Sequence, residues 1–172
     1  MPGKNKSDAK DNFCGFFKES LSCLTDAFLH PIQISDNRFL LTYEPFPELL
    51  CDAGPRTLSI SQLFTTCADK MRGGYKVRTL QYDYSLNGPD ENGDPIEIVS
   101  YHWHPDESEV REPHLHVGCI PRVHFPTSRI SVERFILMLI DYYEILPILA
   151  EPVWKEILER NGGAFDKMAS WK

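Results

Sequence analysis

The sequence lacks any apolar run long enough to cross a membrane as a helix. Such a helix needs about 20 consecutive apolar residues, whereas the richest stretch, Phe135 to Ile140, runs into Asp141. Positive charge is also short, with 18 Lys and Arg against 25 Asp and Glu and a net charge of −7. That balance argues against a protein that coats nucleic acid or anionic membrane non-specifically, though not against an enzyme that grips a few phosphates in one pocket. Cys14, Cys23, Cys51, Cys67 and Cys119 are widely spaced and form no CxxC pair. A zinc ribbon therefore has no support, and free thiols in a reducing cytoplasm are expected. Met1 to Asn12 is polar and lysine-bearing, with no apolar segment of a secretory signal behind it. There is no Walker A loop, GxGxxG turn, HExxH or GxSxG motif, no internal repeat and no low-complexity tract.

What is present is the composition of an ordinary folded domain: 172 residues, 42% hydrophobic and 12% aromatic. The chain reads as a single domain over 1–172, with 1–12 as a disordered tail. Phe13, Phe16, Phe17, Leu21, Leu24 and Phe28 recur at three- and four-residue steps, which predicts a helix over 13–29, with His30 at its C-terminal end before Pro31. Arg38 to Glu44 reads as a strand. Ser59 or Ser61 is positioned to cap a short helix through Met71 that Gly73-Gly74 ends. In Tyr75 to Leu86, Leu80, Tyr82, Tyr84 and Leu86 alternate with Thr79, Gln81, Asp83 and Ser85, the period of a half-buried strand. Ile96 to His104 and His114 to Ile120 are the next strands. Ser131 caps a long helix limited by Pro147, and Glu151-Pro152 opens a short one closed by Gly162-Gly163. The expected class is α+β: an antiparallel meander of about three to five strands between N-terminal and C-terminal helices.

Chemistry concentrates in the histidines. His102-Trp103-His104 ends one strand and His114-Leu115-His116 opens the next. Residues two apart on a strand share a face. The intervening Val99, Tyr101, Trp103, Leu115, Val117 and Cys119 are apolar, so both pairs belong on the face away from the core. Opposing strands would set His104 across from His114 and His102 across from His116, with Cβ atoms ~5 Å apart. Asp83 and Gln81 extend the same surface. Neutral imidazoles in such a cluster can bind zinc, copper, nickel or iron. A pair near neutral pH can act as acid and base, and a protonated cluster can bind phosphate. Alternatively these are half-exposed polar residues that merely fill a pleated surface.

The segment Arg122 to Ser131 adds His124, Thr127, Ser128 and Arg129 near a helix N-terminus, where free N–H groups and the dipole favour an anion. Arg129 can neutralise a phosphate or pair with an acidic neighbour. The acidic connection Asp106-Glu107-Ser108-Glu109 and Glu112 is solvated, or lends a carboxylate to orient a histidine.

His114-Leu115-His116-Val117-Gly118-Cys119-Ile120-Pro121-Arg122 partly resembles the histidine-triad nucleotide-hydrolase motif, in which the middle of three alternating histidines attacks phosphorus; here Gly118 stands at the third histidine position. More broadly, Tyr75 to Tyr143 is similar in layout to small bacterial proteins of the TumE-like toxin class. The shared order is a meandering sheet, a strand carrying HxH, a linker and an amphipathic helix. Here His114, His116 and the helix entered at Ser131 match it, whereas the N-terminal ~70 residues and last helix have no counterpart. That resemblance implies a cytoplasmic bacterial protein that pairs with a cognate antitoxin or toxin and acts in translation inhibition or RNA cleavage.

The leading expectation is phosphodiester cleavage, of RNA above all. His114 and His116 share the acid and base roles and Arg129 stabilises the charge on phosphorus. Tyr101, His124, Thr127 and Ser128 contact substrate, and His102 and His104 are interchangeable candidates. The second expectation is a divalent transition-metal site of His102, His104, His114 and His116, catalytic or structural. The third is a non-enzymatic interaction protein of the immunity or antitoxin kind. Substrate, oligomeric state and strand register stay open.

Overall fold

Side-chain alternation with a period of two runs further along this chain than four strands would need. The computed structural model describes residues 2–106, 110–120 and 123–168. Among these the elements are β1 (Pro2–Gly3), α1 (Lys6–Leu21), β2 (Leu29–Ser35), β3 (Arg38–Tyr43), β4 (Glu48–Leu49), β5 (Arg56–Ala68), β6 (Tyr75–Pro89), β7 (Pro95–Trp103), β8 (His114–Val117), β9 (Phe125–Pro126), α2 (Val132–Tyr143) and α3 (Glu151–Met168). The class is α+β as expected, but the sheet of the described residues has nine strands, in the order β2-β3-β5-β6-β7-β8-β9, with β1 joined to β6 and β4 to β5. Every pairing is antiparallel.

Five expectations are corrected. The helix predicted near 59–71 is instead the long strand β5: Leu58, Ile60, Gln62, Phe64 and Thr66 are buried and their neighbours half-buried, a strict period of two that outweighs the serine caps. The first helix starts at Lys6 rather than Phe13, because Asn5 caps it by accepting from the Asp8 N–H at 2.9 Å. Of the residues expected as a disordered tail, 2–3 form β1 and 6–12 belong to α1. This helix ends at Leu21, and His30 lies in β2 opposite Thr42 instead of at a helix end. Pro31 fits there because β2 is an edge strand that pairs with β3 alone. Finally, α3 continues through Gly162-Gly163 to Met168.

The helices bury their apolar sides on one face of the sheet. Phe17 and Leu21 of α1, and Phe135, Ile136 and Leu139 of α2, meet Leu58, Ile60, Phe64, Tyr84, Leu86 and Val99. The Tyr84 ring lies 6.3 Å from Phe17 and 5.6 Å from Phe135. Each such side chain, fully buried, contributes about 1.5–3 kcal/mol. Trp154 and Leu158 of α3 join the same core. A polar link ties the three helices: Ser20 donates to Glu133 Oε1 at 2.8 Å, and Asn161 donates to Ser20 Oγ at 3.1 Å. Ser131 caps α2 as its sequence predicts, accepting from the Arg134 N–H. No helix among the described residues is long and apolar enough to cross a membrane, and the five cysteines are free.

Two bulges reset which residues share a face. Between β5 and β6, Leu63 pairs with Gln81 and Phe64 with Thr79, so Leu80 is the extra residue and leaves the row of Tyr82 and Tyr84. Between β6 and β7, Leu86 pairs with Val99 and Asn87 with Glu97, so Ile98 is extra. Beyond that bulge the β7–β8 register sets His102 opposite His114 and Ser100 opposite His116. The expected pairing is thus displaced by two residues, which keeps both histidine pairs on one face. His104 already lies past the end of β7.

Gly118 fixes this register. Its N–H donates to the Ile98 carbonyl at 2.8 Å, and a Cβ built there would sit 2.0 Å from the Glu97 carbonyl oxygen. A third alternating histidine is sterically excluded, so the departure from the histidine-triad motif has a structural cause. Gly118→Ala is expected to lower unfolding stability by about 1–3 kcal/mol, the usual cost of forcing extra volume into a packed site. Urea denaturation checks it, and an unchanged midpoint would contradict the close approach.

Candidate functional site

The sheet face opposite the helices carries five histidines within ring-contact distance. Ring centroids of His102 lie 5.6 Å from His114, 4.7 Å from His116 and 5.6 Å from His104. His114 and His116 are 5.1 Å apart, and His124, arriving from the linker before β9, lies 4.8 Å from His114 and 4.4 Å from His116. β7 and β8 hold the first rings by alternation, and β9 draws His124 in by pairing Phe125 with Leu115.

Hydrogen bonds orient the rings. His114 is buried, and its Nδ1 lies 2.8 Å from the Glu112 carbonyl oxygen. A carbonyl only accepts, so Nδ1 carries the proton and neutral His114 keeps its lone pair on Nε2. His102 Nε2 is 2.6 Å from Ser100 Oγ and 3.7 Å from Glu97 Oε2, and Nδ1 is 3.5 Å from Asp83 Oδ2. His116 Nε2 is buried and has no hydrogen-bond partner among the described residues.

The environment disfavours protonation. Burial pushes His102 below the ordinary imidazole value, and His104 and His114 add to this against the pull of Asp83 and Glu97. Burial likewise lowers His116, helped by His102, His124 and His114. These rings are held as neutral nitrogen donors near pH 7.

The arrangement suits a metal ion. One nitrogen each from His102, His114 and His116 lies within 4.8 Å of the others, and Asp83, His102 and His104 form a second such group. Tetrahedral zinc with bonds of about 2.0–2.1 Å sets its ligands ~3.4 Å apart, so rotamer adjustments of about 1 Å close the first set. The buried, unpartnered His116 Nε2 and the fixed tautomer of His114 fit this donor role. The Glu112 carbonyl, 2.8 Å from Nδ1, would then be the group that orients a ligating His114 ring.

Not all expected site residues are brought here. The Arg129 guanidinium stacks on the Trp103 indole, on the helix side of the sheet, where burial pushes it down to about 10. It does not share a face with His114 and His116, because Trp103 alternates with His102. The Tyr101 ring likewise turns inward, 6.2 Å from Phe135. Thr127 anchors the linker, its N–H donating to the Pro113 carbonyl at 2.8 Å, and Ser128 is exposed. Arg122 and Glu107 to Glu109 lie outside the described residues.

Glu97 and Ser100 are the members missed by sequence. Unbroken alternation assigns Glu97 to the face of Val99 and Tyr101, and only the bulge at Ile98 brings its carboxylate to His102. For Ser100 the signal that could have found it is plain alternation, since it stands two residues before His102.

No family model, curated protein or solved structure matches the chain.

The lowered imidazoles set a pH dependence. Unfolded histidine, near 6.5, binds protons where folded His102 and His116 do not, so stability is full above about 6.5 and lost as pH falls toward the lowered folded values. The melting temperature is expected to be higher at about pH 7.5 than at about pH 5.5, with a smaller difference in His116→Gln. Equal pH slopes in the two proteins would contradict the assignment.

Proposed function

We propose that this protein is a metal-dependent hydrolase in which His102, His114 and His116 hold a divalent transition-metal ion, zinc foremost. The observation that carries the reading is the buried, unpartnered Nε2 of His116 beside two imidazoles whose nitrogens lie within 4.8 Å. A buried polar atom without a partner is costly unless a group from outside the chain completes it. A set of three imidazoles leaves a fourth position to substrate or solvent, and a metal there supplies Lewis acidity. Asp83 and Glu97, 3.5 and 3.7 Å from the His102 nitrogens, bring negative charge that favours a cation.

A second reading keeps metal-free phosphodiester cleavage, with RNA as substrate. Its support is the fixed tautomer of His114, which presents a basic Nε2 beside His116. With Arg129 on the other face, the histidines alone would have to stabilise charge on phosphorus. A cognate antitoxin or toxin partner belongs to this reading through the TumE-like layout.

Elemental analysis of untagged protein, purified without chelator, separates the two. Near-stoichiometric metal that falls below about one tenth in His114→Ala/His116→Ala is expected. Adding metal to about 100 times its dissociation constant stabilises the native state by about 2.7 kcal/mol. For a chain of this length that raises the melting temperature by roughly 5–10 °C over chelated protein. Metal-free protein whose melting is indifferent to zinc and to chelator would overturn the metal reading and turn the test to RNA cleavage.

A further inference from the structure

The row of paired residues that crosses the sheet at His102 has room for more than one ion. Asp83 of β6 stands opposite His102, and His102 stands opposite His114 of β8. One imidazole thus lies between a carboxylate and a second imidazole. Two further histidines fall to either side of this row. His116 pairs with Ser100, two residues before His102, whereas His104 comes two residues after it. From Ser100 to His104 is about 13 Å of extended chain, at ~3.3 Å per residue. His104 and His116 therefore approach the His102 ring from opposite ends.

The two nitrogens of the ring follow the same division. Nε2 is 2.6 Å from the Oγ of Ser100, the partner of His116, and Nδ1 is 3.5 Å from Asp83 Oδ2. One ligand atom each from Asp83, His102 and His104 lies within 4.8 Å of the others, as in the set of His102, His114 and His116. The Asp83 spacing separates an ion site from a simple carboxylate–imidazole contact. At 3.5 Å it exceeds the ~2.7–3.2 Å of a hydrogen bond from a ring N–H. It matches the edge of about 3.4 Å between two ligands of a tetrahedral ion. Buried Ser85 holds the carboxylate in this pose, donating to Asp83 Oδ1 at 2.9 Å while Oδ2 faces the ring. Asp83, His102 and His104 are each half-buried, so an ion can reach them.

We propose that Asp83, His102 and His104 hold a second divalent transition-metal ion, bridged through the His102 imidazole to the ion of His102, His114 and His116. This second site rests on the metal reading of the first, because the two share His102. In the bridge, Nδ1 serves the ion beside Asp83, and the first ion replaces the Ser100 hydroxyl as the partner of Nε2. Both nitrogens are then bonded, so the remaining N–H proton of the ring passes to solvent as the second bond forms. The two cations stabilise the imidazolate that results. With bonds of ~2.0 Å to nitrogens ~2.2 Å apart across the ring, the ions sit about 6 Å from one another. Asp83 supplies the anionic ligand that offsets part of the added charge. The second ion binds after the first and more weakly, since like charges repel across the shared ring.

Zinc stoichiometry and copper paramagnetic resonance test the proposal on untagged protein. In equilibrium dialysis against excess zinc, the protein is expected to bind about two ions per chain, and Asp83→Asn and His104→Ala about one each. With copper(II), the resonance signal should rise over the first equivalent and fall over the second, because the shared ring couples the two spins. In either variant the signal should rise over one equivalent and then hold. Asp83 is half-buried and His104 lies past the end of β7, so both variants should keep a cooperative melting transition. If one does not fold, the other carries the test together with the copper titration of the unaltered protein. A single zinc per chain, a second zinc that survives both substitutions, or a copper signal that doubles would overturn the bridged second site and leave the first standing. Absence of any bound zinc would overturn both sites.

Discussion

The close approach of Gly118 to β7 is the constraint on which the candidate site depends. A backbone N–H bonded to the Ile98 carbonyl, with no room for a Cβ, admits one register of β8 and no other. That register brings His102 opposite His114 and places His116 beside Ser100, one step along the same face. A slip by a single residue would send the histidines of β8 into the aromatic core and Leu115 out of it. Burying imidazoles there, against Phe135, would cost the core an apolar contact and leave ring nitrogens without partners. Steric exclusion at one glycine and hydrophobic patterning on two strands therefore enforce the same geometry.

The sheet divides two kinds of chemistry that the sequence interleaves residue by residue. Along β7, Tyr101 and Trp103 turn toward α2 and the Arg129 stack, while Ser100 and His102 turn toward the histidines. Clustering five imidazoles is eased where burial disfavours the charged ring, as it does at His102 and His116. The same burial leaves a nitrogen of His116 unpartnered. A group of neutral, oriented nitrogen donors beside two carboxylates is the arrangement a divalent cation completes. On the opposite face Trp103, flanked in sequence by His102 and His104, carries the Arg129 guanidinium over its ring.

How much of this was legible in the sequence follows from which signals are local. The Ser131 cap and the apolar face of α2 were, because both are set by residues within one or two turns. The two HxH pairs were, because alternation is a property of a strand by itself. β5 was not: its serines look like helix caps until the buried Leu58, Ile60 and Phe64 are seen to pair with Leu86, Tyr84 and Thr79 of β6. Glu97 was hidden, since a bulge is decided by the partner strand and reverses the parity on which face assignment rests. His124 and Arg129 lie in a segment without periodicity, so their neighbours depend on the path of the linker. That path delivers the imidazole to the cluster and carries the guanidinium past it.

The edge strand β2 bears on how the molecule behaves toward copies of itself. Ile32 and Ile34 are exposed there, and an open edge with such side chains is a template on which a further strand can add. Pro31 sits between the strand's start and those isoleucines, with no N–H to offer. A proline in an edge strand turns its nitrogen outward, so an incoming chain would meet a gap in the row of donors. The bulge between Gln33 and Ser35 twists the far end of the same strand away from flat pairing. The sheet is thereby finished on that side: colloidal stability at this margin rests on an interrupted ladder, with no need for a covering helix.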